Sequence, residues 1–230
     1  MSYIRANQVV KEFGTGDAAV PAVRGIDLSI NEGAFISIMG ESGAGKSTLL
    51  SMLGGLLSPT RGQILVRDID LYALKGNKLA DFRREFMGFI FQSFQLIPYL
   101  NVSENVQLPL AVTHHSEAEK RSLAMTALER VGLTAKAMRL PNQLSGGEQE
   151  RVAIARAVVN EPPILFADEP TGNLDSRNSE EVMKLLKRLN SEGQTIVMVT
   201  HSRRNAEHAD RIIEVADGQI KETPHMRAVC

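Results

Sequence analysis

The sequence predicts an α/β fold: a parallel-sheet core, an antiparallel β subdomain towards the N-terminus and a helical subdomain inserted in the middle. Three observations predict it. Apolar runs at 34–39 (AFISIM), 164–167 (ILFA) and 195–199 (TIVMV) have the near-continuous hydrophobicity of strands buried on both faces. Helical patterns separate these runs, as a βα alternation requires. The stretch 93–160 reads mainly as helix.

Along the chain, the first third alternates short strands with turns. IDLSI at 26–30 has a period of two and stops at Asn31-Glu32-Gly33. Residues 62–66 and their continuation read as a further strand pair. The run at 34–39 leads into a glycine-rich loop and an apolar helix at 48–53, and FIF at 89–91 is a shorter strand candidate. SEAE at 116–119 has the form of a capping box, opening a helix that stops at Gly132. Val182, Leu185, Leu186 and Leu189 share one helical face, and Gly193 closes that helix. The expected division is a single domain, with core and antiparallel subdomain at 1–92 and 161–222. The helical subdomain takes 93–160, and 223–230 is a flexible tail.

Composition excludes several classes. Lys+Arg is 26 against Asp+Glu 27 in 230 residues, without the basic excess or stripe of a nucleic-acid binder, so no nucleic-acid partner is expected. The one cysteine, Cys230, can build neither a disulfide framework nor a zinc site, which points to a reducing compartment. No run approaches the ~18 apolar residues of a membrane span, and the start MSYIRANQVVKEF lacks the apolar stretch of a signal peptide. A soluble chain is expected, with any membrane role supplied by a partner. His114, His115, His208 and His225 show no ligand spacing.

The chemistry-bearing motifs begin at residue 40. Gly40, Glu41, Ser42, Gly43, Ala44, Gly45, Lys46, Ser47 and Thr48 match G-x-x-x-x-G-K-[ST] between a buried strand and a helix. The glycines let successive N–H groups curl into an anion nest. Lys46 adds a point charge for β- and γ-phosphates, the Ser47 hydroxyl can ligate Mg²⁺, and the helix dipole adds to both. Asp168 and Glu169 end the apolar run at 164–167, at the edge where open α/β sheets bind ligands. Asp168 is expected to hold Mg²⁺ through water and Glu169 to polarise the attacking water. His201 ends another strand at the same rim, within reach of a γ-phosphate.

A second glycine pair, in LSGGEQ at 144–149, opens an apolar helix but has no lysine. Taken in order, these motifs resemble those of the ATP-binding-cassette (ABC) ATPases, the nucleotide-binding subunits of transporters, over nearly the whole chain. Residues 40–48 match the Walker A loop, Gln92 the Q-loop, 144–149 the signature and 164–168 with Glu169 the Walker B region. Asp175 matches the D-loop and His201 the H-loop.

The resemblance implies the ABC ATPase fold, built on a P-loop NTPase core, with ATP and Mg²⁺ as ligands. It also implies a second copy of the chain as partner: two cassettes pair head to tail, and Ser145, Gly146 and Gly147 of one cap the nucleotide held by Lys46 of the other. That explains a phosphate site without a lysine. Asp175 is expected at the dimer interface, Gln92 on Mg²⁺ or the water, and Phe13 where relatives stack an aromatic ring on adenine. Glu150 stands where glutamine is common, with little expected consequence.

Within the family, GFIFQSFQLIP at 88–98, ENVQLPL at 104–110 and ADEPTGNLD at 167–175 resemble the lipoprotein-release and macrolide-export (LolD/MacB-like) type. The implied partner is an integral membrane permease with a large extracytoplasmic domain, which places the chain on the cytoplasmic side of the inner membrane. Phe94, Leu96 and Leu100 are expected either to line the groove for the permease's coupling helix or to belong to the core of the helical subdomain. A related cassette can instead serve a cell-division complex that moves no cargo.

Overall fold

Two sheets and a helical layer organise the chain in the computed structural model, which describes residues 2–14 and 16–221. The expected tail at 223–230, including His225 and Cys230, lies outside the described residues. Strands β1 (Ser2–Phe13), β2 (Val20–Asn31) and β3 (Phe35–Met39) lead to helix α1 (Lys46–Leu53). Then come β4 (Arg61–Val66), β5 (Ile69–Asp70), α2 (Lys78–Phe86) and β6 (Met87–Phe91). The helical layer holds α3 (Val102–Gln107), α4 (Glu117–Arg130) and α5 (Gly146–Val158). The chain returns through β7 (Ile164–Asp168), α6 (Ser176–Ser191), β8 (Thr195–Val199) and α7 (Arg203–Ala206) to β9 (Arg211–Ala216) and β10 (Gln219–Lys221).

The larger sheet has the order β10-β9-β3-β8-β7-β6 and is parallel except for the β9–β10 hairpin. Its central strands are buried on both faces, which is why they read as unbroken apolar runs. Side chains alternate between two cores. Leu165 and Ala167 of β7, with Ile196 and Met198 of β8, face the helical layer and α6. Ile164, Phe166, Val197 and Val199 face α1 and the small sheet. That small sheet, β2-β1-β4-β5, is antiparallel.

Some elements are missing from the sequence reading for physical reasons. Strand β1 is bulged, with register shifts on both sides of Gln8, whose φ is 47°, so its apolar positions lose the period of two. Strand β9 lies beside β3 but buries only Ile213 and Val215, too few for a distinct run. Helix α2 buries only Phe82 and carries Arg83 and Arg84 on its surface. The helical layer follows its caps: Asn101/Glu104, Ser116/Glu119 and Ser145/Glu148 are reciprocal capping boxes for α3, α4 and α5.

Candidate nucleotide site

Strand β3 ends at Met39, and the loop that follows turns the chain into α1 with Lys46 as its first residue. Gly45 adopts φ 96°, and a Cβ there would overlap the Ala22 carbonyl, so the turn admits only glycine. The Lys46 ammonium is buried and donates to the Glu41 carbonyl at 2.7 Å, inside the ring of the loop. Ser47 Oγ donates to Asp168 Oδ1 at 2.9 Å, which brings the end of β7 against the start of α1.

Glu169 follows at φ 50°, a left-handed backbone costing a non-glycine residue ~1–3 kcal/mol. Its N–H donates to the Val199 carbonyl at 3.0 Å, fixing the turn to β8. That turn aims its carboxylate at His201, whose Nδ1 lies 2.5 Å from Oε2. Together Ser42, Gly43, Gly45, Lys46, Ser47, Thr48, Gln92, Glu169 and His201 line a cleft of about 460 Å³. Gly40, Glu41 and Ala44 line the adjoining cleft behind the loop, which shares Ser42, Gly43 and His201.

Two expected ligand groups stand apart from this cleft. Phe13 ends β1, is 47% exposed and lines neither cleft; the Lys11 ammonium lies 5.3 Å from its ring centroid. Ser145, Gly146 and Gly147 also lie outside it, at the N-terminus of α5. Ser145 Oγ accepts the Glu148 N–H at 3.3 Å, which leaves the hydroxyl proton free to donate. The Lys136 ammonium beside Glu148, with the Ser145 N–H, holds that carboxyl below the usual range.

Asp175 caps α6, accepting the Asn178 N–H on Oδ1 and its Nδ2 on Oδ2, each at 2.8 Å; the backbone bond is the larger cause of its lowered pKa. Asn178 in turn packs on Gly147, where a Cβ would overlap its side chain. Asp175 therefore supports the signature helix from behind.

The fit to Mg²⁺ rests on donor chemistry. Ser47 and Gln92 line the cleft with oxygen donors, and Asp168, which does not line it, reaches its edge through the Ser47 hydroxyl. This all-oxygen set suits a hard cation that keeps waters and phosphate oxygens as its other ligands. Among the described residues no cluster of three or more His, Cys, Asp or Glu could hold a metal by itself.

Other positions depart from the sequence reading. Glu150 is fully buried on α5, both carboxyl oxygens lack a hydrogen-bond partner, and burial pushes its pKa up to about 9. Of the two roles expected for Phe94, Leu96 and Leu100, Leu96 takes the core one, packing against the helical core. A cleft of about 400 Å³ between α2 and the α5 side is lined by Leu56, Phe91, Leu108, Val112, Arg83 and Arg84, without Phe94, Leu96 or Leu100. An apolar residue next to Gln92 in sequence can face either way, and the turns at Phe94 and Gln95, both at positive φ, face Leu96 inward.

No helix among the described residues is long and apolar enough to cross a membrane. The ABC transporter family profile matches residues 23–172. An uncharacterized ABC transporter ATP-binding protein of Methanocaldococcus jannaschii, MJ1508, is 48% identical over 95% of this chain and 98% of its own length. The lipoprotein-releasing system ATP-binding protein LolD of Syntrophotalea carbinolica is 45% identical over 94% of this chain and 96% of its own. The macrolide export ATP-binding/permease protein MacB of Brucella melitensis is 46% identical over 94% of this chain, which spans 34% of MacB.

Among solved structures, the cassette MJ0796, described as a dimeric post-hydrolysis state bound to ADP and Pi, superposes with a TM-score of 0.90 at 42% identity. That superposition covers 98% of this chain and 100% of the other. With the phosphate loop, the Asp168–Glu169 pair and the signature helix in one α/β frame, the chain belongs to the ABC transporter family, as one of its ATP-hydrolysing cassettes.

Proposed function

We propose that two copies of this chain pair head to tail on Mg·ATP and drive a membrane permease of the lipoprotein-release or macrolide-export type. One observation carries the proposal. The cleft around Lys46, Glu169 and His201 is lined by none of Ser145, Gly146 and Gly147, although these form a helix N-terminus suited to phosphate. A second copy supplies the missing wall. The dimeric state described for MJ0796 supports this arrangement.

In this reading, the loop N–H groups and Lys46 bind the β- and γ-phosphates. Ser47 and Asp168 would hold Mg²⁺ with Gln92, and the ion would supply the charge that offsets the phosphate oxygens. Glu169 accepts a proton from the attacking water. His201 orients the Glu169 carboxylate and reaches the γ-phosphate. Ser145 of the other copy donates its free hydroxyl proton to the same phosphate. ATP favours the closed pair only through contacts that the open pair lacks, and that difference is what reaches the permease.

Phe13, exposed at the end of β1, supplies an aromatic face for adenine, and Asp175 lies at the interface between copies. The apolar cleft with Leu56 at 47% and Val112 at 68% exposed offers the permease a docking groove. That permease has a large extracytoplasmic domain, and the chain works on the cytoplasmic face of the inner membrane. The names of the relatives LolD, of a lipoprotein-releasing system, and MacB, an ATP-binding/permease protein, support the permease partner.

The test is size-exclusion chromatography of the Glu169→Gln protein with and without Mg·ATP, followed by identification of the membrane proteins that co-purify with it. A dimer that forms only with Mg·ATP, and a co-purifying permease, are expected. A monomer at saturating Mg·ATP contradicts the reading.

A further inference from the structure

Gln92 reaches the nucleotide cleft from a short segment after β6 that has little regular structure of its own. Its backbone is held from two sides. Asn173 Nδ2 donates to the Gln92 carbonyl at 2.8 Å. Two residues further on, Phe94 and Gln95 adopt φ of 57° and 49°, a left-handed pair that side-chain-bearing residues rarely keep without external restraint. Local backbone bonds from the Phe94 N–H to the Phe91 carbonyl and from the Gln95 N–H to the Ser93 carbonyl close the turn, and one distant side chain holds its carbonyls. Arg156 Nη2 donates to the Phe94 carbonyl at 2.7 Å and Nη1 to the Gln95 carbonyl at 2.5 Å, a forked grip on consecutive carbonyls.

The fork is committed to this task. Glu150 lies on the same helix, close enough for Arg156 to act on it electrostatically, yet its carboxyl oxygens have no partner. The guanidinium donors go to two neutral carbonyls while a carboxyl nearby is left without a bond. Arg156 also stands ten residues beyond Gly146, about 15 Å along α5 at ~1.5 Å per residue. Phe94 reaches back to the other end of that helix, its Cζ 3.9 Å from where a Gly146 Cβ would lie. One rigid helix thus carries the signature at its start and grips the segment bearing Gln92 near its end.

We propose that Arg156 is a positioning residue for ATP hydrolysis: its grip on the Phe94 and Gln95 carbonyls sets Gln92 in the nucleotide cleft and ties it to the signature helix. The inference rests on Gln92 acting in the site proposed above. Arg156 touches neither nucleotide nor metal; it acts through the backbone of residues 94–95.

The experiment is a double-mutant cycle on ATP hydrolysis, with Arg156→Lys and Gln92→Ala alone and combined. Lysine keeps the charge but cannot make the fork. Arg156→Lys lowers kcat about 10-fold with KM for ATP changed less than about 2-fold, the pattern of a misplaced group rather than a lost binding contact. In the Gln92→Ala background the same change costs less than about 2-fold, because there is no side chain left to position. An Arg156→Lys protein with normal kcat, or one whose loss persists undiminished beside Gln92→Ala, overturns the proposal.

Should Arg156→Lys be recovered unfolded, Arg156→Gln takes its place in the cycle; failure of both to fold assigns Arg156 to the fold alone and also overturns it. A wild-type protein that hydrolyses no ATP would count instead against the function proposed above.

Discussion

His201 Nδ1 lies 2.5 Å from Oε2 of Glu169, so two strand ends, those of β8 and β7, meet in one hydrogen bond over the phosphate loop. With the proton on Nδ1 the imidazole donates to this carboxylate. The bond explains how a carboxylate on a left-handed turn keeps one direction. Replacing Glu169 by Gln keeps that shape and removes the base. Glu169→Gln is expected to bind ATP normally and to turn over ~10²-fold more slowly or worse, read from nucleotide-binding titration beside steady-state hydrolysis. Hydrolysis near the wild-type rate would remove Glu169 from the role of base.

Gly147 has no room for a methyl group because Asn178 fills the space, held there by both carboxylate oxygens of Asp175. Gly147→Ala is expected to push Asn178 off Asp175 and to lower turnover about 10-fold through misplacement of the signature. Asn178→Ala in the same chain makes room again and restores part of the loss. A double variant no better than Gly147→Ala would show that the glycine matters for another reason.

Glu150 predicts a pH dependence of stability. Its folded pKa is raised to about 9 from an ordinary value of 4.5, with burial as the main cause and the Arg156 charge opposing it. Between those limits the unfolded chain releases the proton and the folded chain keeps it. The unfolded state therefore binds fewer protons, and stability falls as pH rises from about 5 to 9. Glu150→Gln removes that slope. Urea unfolding at pH 5, 7 and 9 should show the variant gaining on wild type by on the order of a few kcal/mol across the range. Parallel profiles would mean that Glu150 is ionised in the folded chain.

Much of this architecture is legible in the residues, and the losses have reasons. The three central strands are readable because burial on both faces leaves no polar interruption, as Leu165 and Phe166 facing opposite cores illustrate. The Ser116/Glu119 cap is readable because both partners are local. The phosphate loop, Asp168, Glu169 and His201 are readable because each sits at a strand end, and strand ends of a parallel sheet share one rim. What depends on long-range fit is not readable. The Arg156 grip spans 61 and 62 residues, and nothing local marks it except an arginine on an apolar helix. The burial of Glu150 is likewise set by what packs over α5, and the inward turn of Leu96 by the backbone at Phe94 and Gln95.

A shared site makes two dead chains able to rescue each other. Lys46→Ala removes the phosphate cation and Ser145→Arg blocks the signature, so each variant alone has two damaged sites per pair. A mixed pair has one site with intact Lys46 and intact Ser145. Mixing the two purified proteins is expected to raise hydrolysis at least ~5-fold above either alone, the sign of complementary halves rather than additive defects. A mixture no more active than its components would place the whole site in one chain.

The most direct measurement is a structure of the Glu169→Gln protein loaded with Mg·ATP. The account predicts two copies head to tail, with Ser145 Oγ of each within hydrogen-bond distance of the γ-phosphate bound at Lys46 of the other. Ser145 remote from every bound triphosphate would contradict it.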